Sequence, residues 1–532
     1  MRPSVIIFLT GGSTMKRRKT VMLAPMALAL GLTAVLPACS SNNAASTASP
    51  AQTAAGSAAP ASPKATLEPY DVSLVYQAKP MKDDALVQEK LNEYLKEKIN
   101  TTVTLQPIAS ADYKKKTELM MNTGEKMDLV FTASWLDYSA NVTKGAFLEL
   151  DSLLDKFAPE TKKLLHPLYL EAPRYKGKLY AIPTNKEITQ GKAFTFRKDI
   201  ADKYQIPVDK INKVEDLEPY FEKIKAAEPD MIDYYVAGGP ASFMMYETKS
   251  NYRPIGPVPA KLPMFFLDYK ATDMKVHTVL DQDIIDLNKQ DAELFRKYYE
   301  KGYINADAAT VTTNVADIRK QGKLWVQSTV WKPGADIELK LSDNFDWVSH
   351  VVEEPIVTTD LATGSMLSIS RTSKNPERAM MVLNYLHTDP YVINLLVNGI
   401  EGKHYKKVGP NRIEPIKDSG YDSQVFWVLG NQFINYLKPG QPDDLYESWK
   451  KFNNDAKRFP LIGFVFDDTK VKNEIAQLTT IVNEYKVIST GAVPNPSKLL
   501  DERNAKLKAA GLEKVATELQ TQIDAWWKEN KK

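Results

Sequence analysis

The side chains with most to offer chemically in this 532-residue chain are aromatics set beside polar groups at positions that read as loops. Trp135, followed closely by Asp137 and Tyr138, comes directly after an apolar run that ends at Thr132. Trp331 stands in a turn after residues 323–330, which read as a strand. Arg197 closes the run Phe194-Thr-Phe-Arg197, where a charge would be idle on a core face. Asn185 lies just beyond the stop at Pro183, and Glu401 and Tyr405 belong to the tight loop that begins at Gly399. Flat aromatics stack on the apolar C–H faces of sugar rings, while carboxylates, amides and guanidinium groups meet sugar hydroxyls, so this combination points to saccharide binding. Each residue also has a structural alternative: core or surface packing for the aromatics, an ion pair with an acid for Arg197. Trp325, inside an apolar strand, and Trp526 and Trp527, on the terminal helix, read as packing.

Catalytic signatures are missing from the sequence. It contains no G-x-S-x-G elbow, no phosphate-binding G-x-x-x-x-G-K-[ST] loop, no H-E-x-x-H and no Cys/His dyad. The five histidines, His166, His277, His350, His387 and His404, are scattered without metal-ligand spacing. Acid pairs occur at Asp83/Asp84, Glu353/Glu354, Asp443/Asp444 and Asp467/Asp468. Glycoside hydrolysis needs two carboxyls held roughly 5 to 10 Å apart across the sugar, which neighbours in sequence do not supply by themselves. Helix caps and solvated faces account for such pairs. We therefore expect no enzyme activity, no metal and no cofactor.

The elements that must position these residues are legible in the first third of the chain. Residues 70–76 alternate as a strand, Asp83 and Asp84 open an amphipathic helix to about Ile99, and residues 102–106 make a second strand. Asp112 starts a helix that Gly124 can end, and residues 127–132 form a third strand. Strand, helix, strand, helix, strand at this spacing means parallel pairing with right-handed crossovers. Ligands at such sheets sit beyond the carboxyl ends of the strands, where residues 133–138 fall. Further on come helices at 214–227, 283–299 and 314–321, a Gly238-Gly239-Pro240 loop, a strand at 364–370, a helix from Asn375 with Pro376 in its first turn, and a closing helix pair broken at Gly511.

The amino end fixes where this apparatus works. Lys16, Arg17, Arg18 and Lys19 precede a Met/Leu/Ala-rich run too short for a comfortable bilayer span, so residues 1–38 read as a secretory signal, with Met15 able to begin it. Leu36-Pro37-Ala38-Cys39 resembles the lipobox of bacterial lipoproteins, which implies acylation of Cys39, the only cysteine, and a bilayer as partner. Five of the 69 basic residues and none of the 66 acidic ones lie before Cys39, leaving 64 against 66, a net charge of −2 for the mature chain. Nothing in that balance invites nucleic acid. Residues 40–66, rich in Ser, Ala and Pro, cannot bury enough apolar surface to order themselves and read as a tether spanning on the order of 30 Å.

Several stretches carry a family resemblance. They are Asp128-Leu-Val-Phe-Thr-Ala-Ser-Trp135, Gly145-Ala-Phe-Leu-Glu-Leu-Asp-Ser-Leu-Leu154, Tyr175-Lys-Gly-Lys-Leu-Tyr-Ala-Ile-Pro183 and the passage from Ile369 to Pro390. The chain resembles the extracellular solute-binding lipoproteins of bacterial ABC importers, of the carbohydrate type, over essentially all of its mature length. Gly399–Tyr405, Gly463–Asp468 and Val471–Leu478 resemble the extra C-terminal region of a long subfamily. The resemblance implies a two-lobed α/β fold of the type II periplasmic-binding-protein kind: open, mostly parallel sheets with helices on both faces and a ligand cleft between the lobes. Lobe 1 would comprise residues 67–185 and about 365–460, lobe 2 residues 186–364, and residues 461–532 would pack on both. It further implies a monomer on the outer face of a cell membrane, of the Gram-positive type, that captures a carbohydrate and passes it to permease subunits. A secreted glycoside hydrolase and a surface sensor or adhesion lipoprotein are the alternative readings.

Overall fold

A computed structural model describes residues 67–237, 245–256, 263–423 and 425–530. The signal segment, Cys39, the tether and the Gly238–Pro240 loop lie outside them. Two sheets organise the fold. In the first, strand Tyr70–Gln77 runs parallel to Thr101–Ile108 on one side and to Leu129–Thr132 on the other. Met366–Ile369 then pairs antiparallel with Leu129–Thr132 and with Ile182–Pro183. Helices Asp84–Ile99 and Ser110–Thr123 make the crossovers; the first buries Val87, Leu91 and Leu95, and the second ends at Gly124 in the left-handed conformation.

The second sheet departs from the expected parallel arrangement. Strand Gln190–Arg197 sits between Val326–Trp331 and Trp347–Val357 and is antiparallel to both. The two flanking strands run parallel to each other, joined across the sheet by helix Ala335–Asp343, with the earlier strand inserted between them. Insertion of a strand that arrives from the first lobe dictates its direction. Val326–Trp331 also ends on Trp331 itself, so that residue closes a strand and does not stand in the turn.

The chain passes from the first sheet to the second between Pro183 and Gln190 and returns between Val357 and Met366. It crosses a third time. Lys457–Arg458 adds a parallel edge strand to Trp347–Val357, while Phe459, Leu461 and Ile462 just beyond it pack in the apolar core of the first sheet. Each sheet has its own apolar core: Val72, Leu74, Phe131, Leu367 and Leu383 in the first, Phe194, Phe196, Phe221, Tyr298 and Trp325 in the second. A small sheet of strands Tyr252–Ile255, Phe265–Asp268 and Val276–Thr278 shares its apolar cluster with C-terminal helices Pro496–Ala509 and Leu512–Asn530, not with the second core. Helix Pro496–Ala509 reaches helix Gln282–Glu300 through Lys289 and Asp501, 2.7 Å apart. Trp526 packs edge-on against Phe464, and Trp325 is fully buried, its indole N–H donating to Asp233 at 3.1 Å.

Candidate functional site

At the carboxyl end of Leu129–Thr132 a single turn, Ser134–Leu136, points Leu136 inward and Trp135 out. Asp137 makes this possible by taking a left-handed backbone, φ 57°, which small polar residues accept more readily than most. Trp135 is 49% exposed, unusual for so large an apolar ring. Its position is nevertheless fixed: Nε1 donates to the Gly364 carbonyl at 2.8 Å, on the returning crossing, and the ring leans on Phe131 with centroids 6.1 Å apart.

A second tryptophan, which sequence reasoning did not single out, completes the surface. Trp427 lies 6.5 Å from Trp135, its plane tilted by 41°, and meets Phe131 edge-on at 5.9 Å. Its segment is stitched to both crossings. Ser365 Oγ donates to the Trp427 carbonyl at 2.5 Å, Thr184 Oγ1 to the Val428 carbonyl at 3.0 Å, and the Asn185 N–H to the Gly430 carbonyl at 2.8 Å. Gly430, at φ 63°, permits the approach, because a Cβ there would stand 2.1 Å from the Leu386 carbonyl oxygen. The only advance signal was a Phe-Trp pair shortly before Gly430-Asn431.

Trp331 groups with other partners. Its ring meets Phe452 edge-on at 5.8 Å, and the next residue, Lys332, lies between Glu187 at 3.4 Å, Glu338 at 3.2 Å and the face of Trp449 at 4.4 Å. Burial alone would raise the Glu187 carboxyl, but Lys186 and Lys332 outweigh it and hold the group below the ordinary range. Trp449 donates to the Pro333 carbonyl at 2.7 Å, and Asn453 of the same helix accepts from the Ile188 N–H at 2.9 Å. This second aromatic and charged group therefore sits on the first and third crossings.

Several expected ligand residues have partners within the protein. Tyr138 is buried, its hydroxyl donating to the Pro173 carbonyl at 2.6 Å and its ring stacked on Phe147; burial raises its pKa well above that of a free phenol. Arg197 is buried too, holding Asp199 through two bonds at 2.7 and 2.9 Å and the Gly322 carbonyl at 2.6 Å. Tyr405 is buried against Tyr436, while exposed Glu401 pairs with Lys407 at 3.5 Å. Asp137 pairs with Lys114 at 2.7 Å. Asn185 is buried, and its side-chain amide donates to Asn431 at 3.2 Å, so it joins the crossings. For Tyr138, Arg197 and Asn185 the partner includes a segment distant in sequence, Pro173, Gly322 and Asn431 respectively.

The acid pairs are likewise occupied. Asp83 receives His404 and Lys403, Glu353 receives Arg253 at 2.6 Å, Asp443 receives Arg412 at 2.6 Å, and Asp467 caps Thr469. No cluster of metal-ligating side chains occurs among the described residues. A cavity of about 170 Å³ lined by Glu118, Asn122, Lys144 and Arg371 opens at the other, amino end of the parallel strands and is separate from the tryptophan pair.

Comparison with known proteins now decides the family. Residues 90–395 match the family described as bacterial extracellular solute-binding protein, and residues 460–528 match a domain of unknown function, DUF3502. The chain belongs to the bacterial extracellular solute-binding proteins. A relative from Streptococcus pneumoniae named carbohydrate ABC transporter substrate-binding protein is 30% identical over 458 residues, 83% of this chain and 87% of the relative. The crystal structure of the N-glycan transport solute-binding protein of the same organism is 28% identical, with TM-score 0.76, covering 87% of this chain and 100% of the other. Its complexes with Man1GlcNAc and Man5GlcNAc, each 27% identical, score 0.70 and 0.67 over 86% and 87% of this chain and 100% and 99% of theirs. A Bifidobacterium longum solute-binding protein at 18% identity and TM-score 0.61, covering 86% of this chain and 99% of its own, shares the fold. These relatives are two-lobed binding proteins, and the mixed α/β fold with open sheets described above is theirs.

Proposed function

We propose that this solute-binding protein captures a carbohydrate, an oligosaccharide in particular, and delivers it to an ABC permease without altering it. The observation that carries the reading is the Trp135–Trp427 pair: a half-exposed indole held by the Gly364 carbonyl at the strand ends, where two crossings meet. A solvent-facing aromatic held this firmly is prepared to stack on a sugar ring. The relatives named for carbohydrate and N-glycan transport support the ligand class. In this reading residues 67–185 and about 365–460 form one lobe and residues 186–364 the other, with residues 461–532 packing on them. The lobes close about the crossings near Asn185 and Gly364, and Cys39 anchors a monomer to the outer face of the membrane. Calorimetry of the mature protein with a panel of oligosaccharides, with small-angle scattering of each mixture, tests this. Binding with a smaller radius of gyration and intact sugar supports it; appearance of hydrolysis products overturns it.

A further inference from the structure

The second crossing holds a carboxylate that the aromatic surface has not yet used. Helix Thr359–Ala362 is clamped on two sides: Ser134 Oγ donates to the Asp360 carbonyl at 3.3 Å, and Thr359 Oγ1 donates to the Leu461 carbonyl at 3.1 Å while accepting from Gly463 N–H at 3.0 Å. Asp360 is the single charged side chain of this helix, and it stands beside the turn that carries Trp135. It is exposed to water, yet desolvation by the surrounding protein raises its carboxyl above the ordinary range. The geometry places it against the aromatic surface: its carbonyl is held by Ser134, and Gly364, four residues on, holds the Trp135 indole. Among the described residues neither a cation nor a hydrogen-bond donor reaches the carboxylate.

The charges on the segments packed around it are spent elsewhere. On the Trp135 side, Asp137 receives Lys114 at 2.7 Å. On the segment leading to Leu461, Lys457 holds Glu354 and Arg458 holds Glu171, its second bond at 2.7 Å. Residues 425–432, which carry Trp427, contain no charged residue. An exposed carboxylate without a protein partner is open to the hydroxyl donors of a ligand.

We propose that Asp360 is the polar contact of the Trp135–Trp427 surface, accepting hydrogen bonds from two adjacent hydroxyls of a neutral sugar and turning away sugars that carry a carboxylate. The inference rests on the saccharide reading above. Two carboxylate oxygens match a vicinal diol, and hydroxyl donors provide the stabilisation of the anion that the protein withholds. A uronate at the same place would set two unpaired anions side by side, a repulsive element of the kind that sets specificity. Because the ligand favours the ionised form, affinity is complete above the raised pKa of the free site and declines as pH falls through it.

The test is calorimetry on the mature protein with neutral mannose- and GlcNAc-containing oligosaccharides, Man5GlcNAc among them, and with mannuronate oligosaccharides of matched length, at neutral and mildly acidic pH. Asp360→Asn and Asp360→Ala should weaken the neutral ligand about ten- to a hundredfold, the value of one or two charge-assisted hydrogen bonds. The acid decline of the native protein should vanish in both. Asp360→Asn should leave the melting temperature unchanged or raise it, since it removes a desolvated charge. Unchanged affinity in both variants, or a native preference for mannuronate, overturns the assignment while leaving saccharide binding intact. Failure of the native protein to take any saccharide overturns the saccharide reading, and this assignment with it.

Discussion

Truncation of Trp135 to Ala should cost affinity and stability in proportions set by its half-exposed ring. A buried Trp covers roughly 150 to 250 Å², and 49% of this one remains open, so a stacking ligand covers on the order of 100 Å² when both accessible edges are used. At about 25 cal/mol per Å² that is about 2.5 kcal/mol, and about half as much if one edge is covered, or roughly a ten- to sixtyfold rise in Kd. The half already packed on Phe131 and Trp427, with the bond to Gly364, contributes to folding instead. Its loss should cost about 2 kcal/mol, below the roughly 3 to 5 kcal/mol of a fully buried Trp. Trp325→Ala is the internal control, because that side chain is fully buried in the second core: it should lose the larger amount of stability and leave affinity alone. Trp135→Phe keeps a ring but drops the Gly364 bond, which separates stacking from anchoring. Calorimetric affinities and urea unfolding free energies on the same preparations provide the comparison. If Trp135→Ala binds the native ligand within twofold of the wild type, the aromatic surface is not the sugar site.

Tyr138→Phe should lower stability by about 1 kcal/mol through loss of the bond to the Pro173 carbonyl, with affinity unchanged; a tenfold loss of affinity would return Tyr138 to the site. Lys192 is largely buried, and desolvation, partly offset by Glu353, lowers its pKa to about 8 from 10.5. The unfolded chain thus holds this proton over a range where the folded chain has released it, so folding stability should gain from Lys192 as pH rises from about 8 to 10.5. That increment should be missing in Lys192→Met, and identical slopes for the two proteins in unfolding free energy against pH would contradict the assignment. Cys39→Ser should release the protein from membranes while sparing ligand affinity, as fractionation followed by calorimetry would show; retention on the membrane after signal cleavage would dismiss the lipid anchor.

Local pattern settled a good deal. The alternation in residues 70–76, the amphipathic spacing between Asp84 and Ile99, the glycine ends at Gly124 and Gly511 and the proline at 376 each act within a turn or two of chain. Their outcome holds whatever packs above them. They were enough for the first parallel strands and for the placing of Trp135 at a strand end; the family came from the resemblance of whole stretches such as Tyr175–Pro183. Direction in the second sheet was beyond their reach, because an antiparallel strand and a parallel one have the same side-chain alternation, and only the route of the chain between lobes distinguishes them. Exposure was beyond them too. Trp135 and Tyr138 are three residues apart with similar local context, yet Pro173 and Phe147 close over one while the other stays half open beside Trp427. Whether a side chain faces ligand or core depends on which distant segments arrive to cover it, and that is a property of the assembled fold.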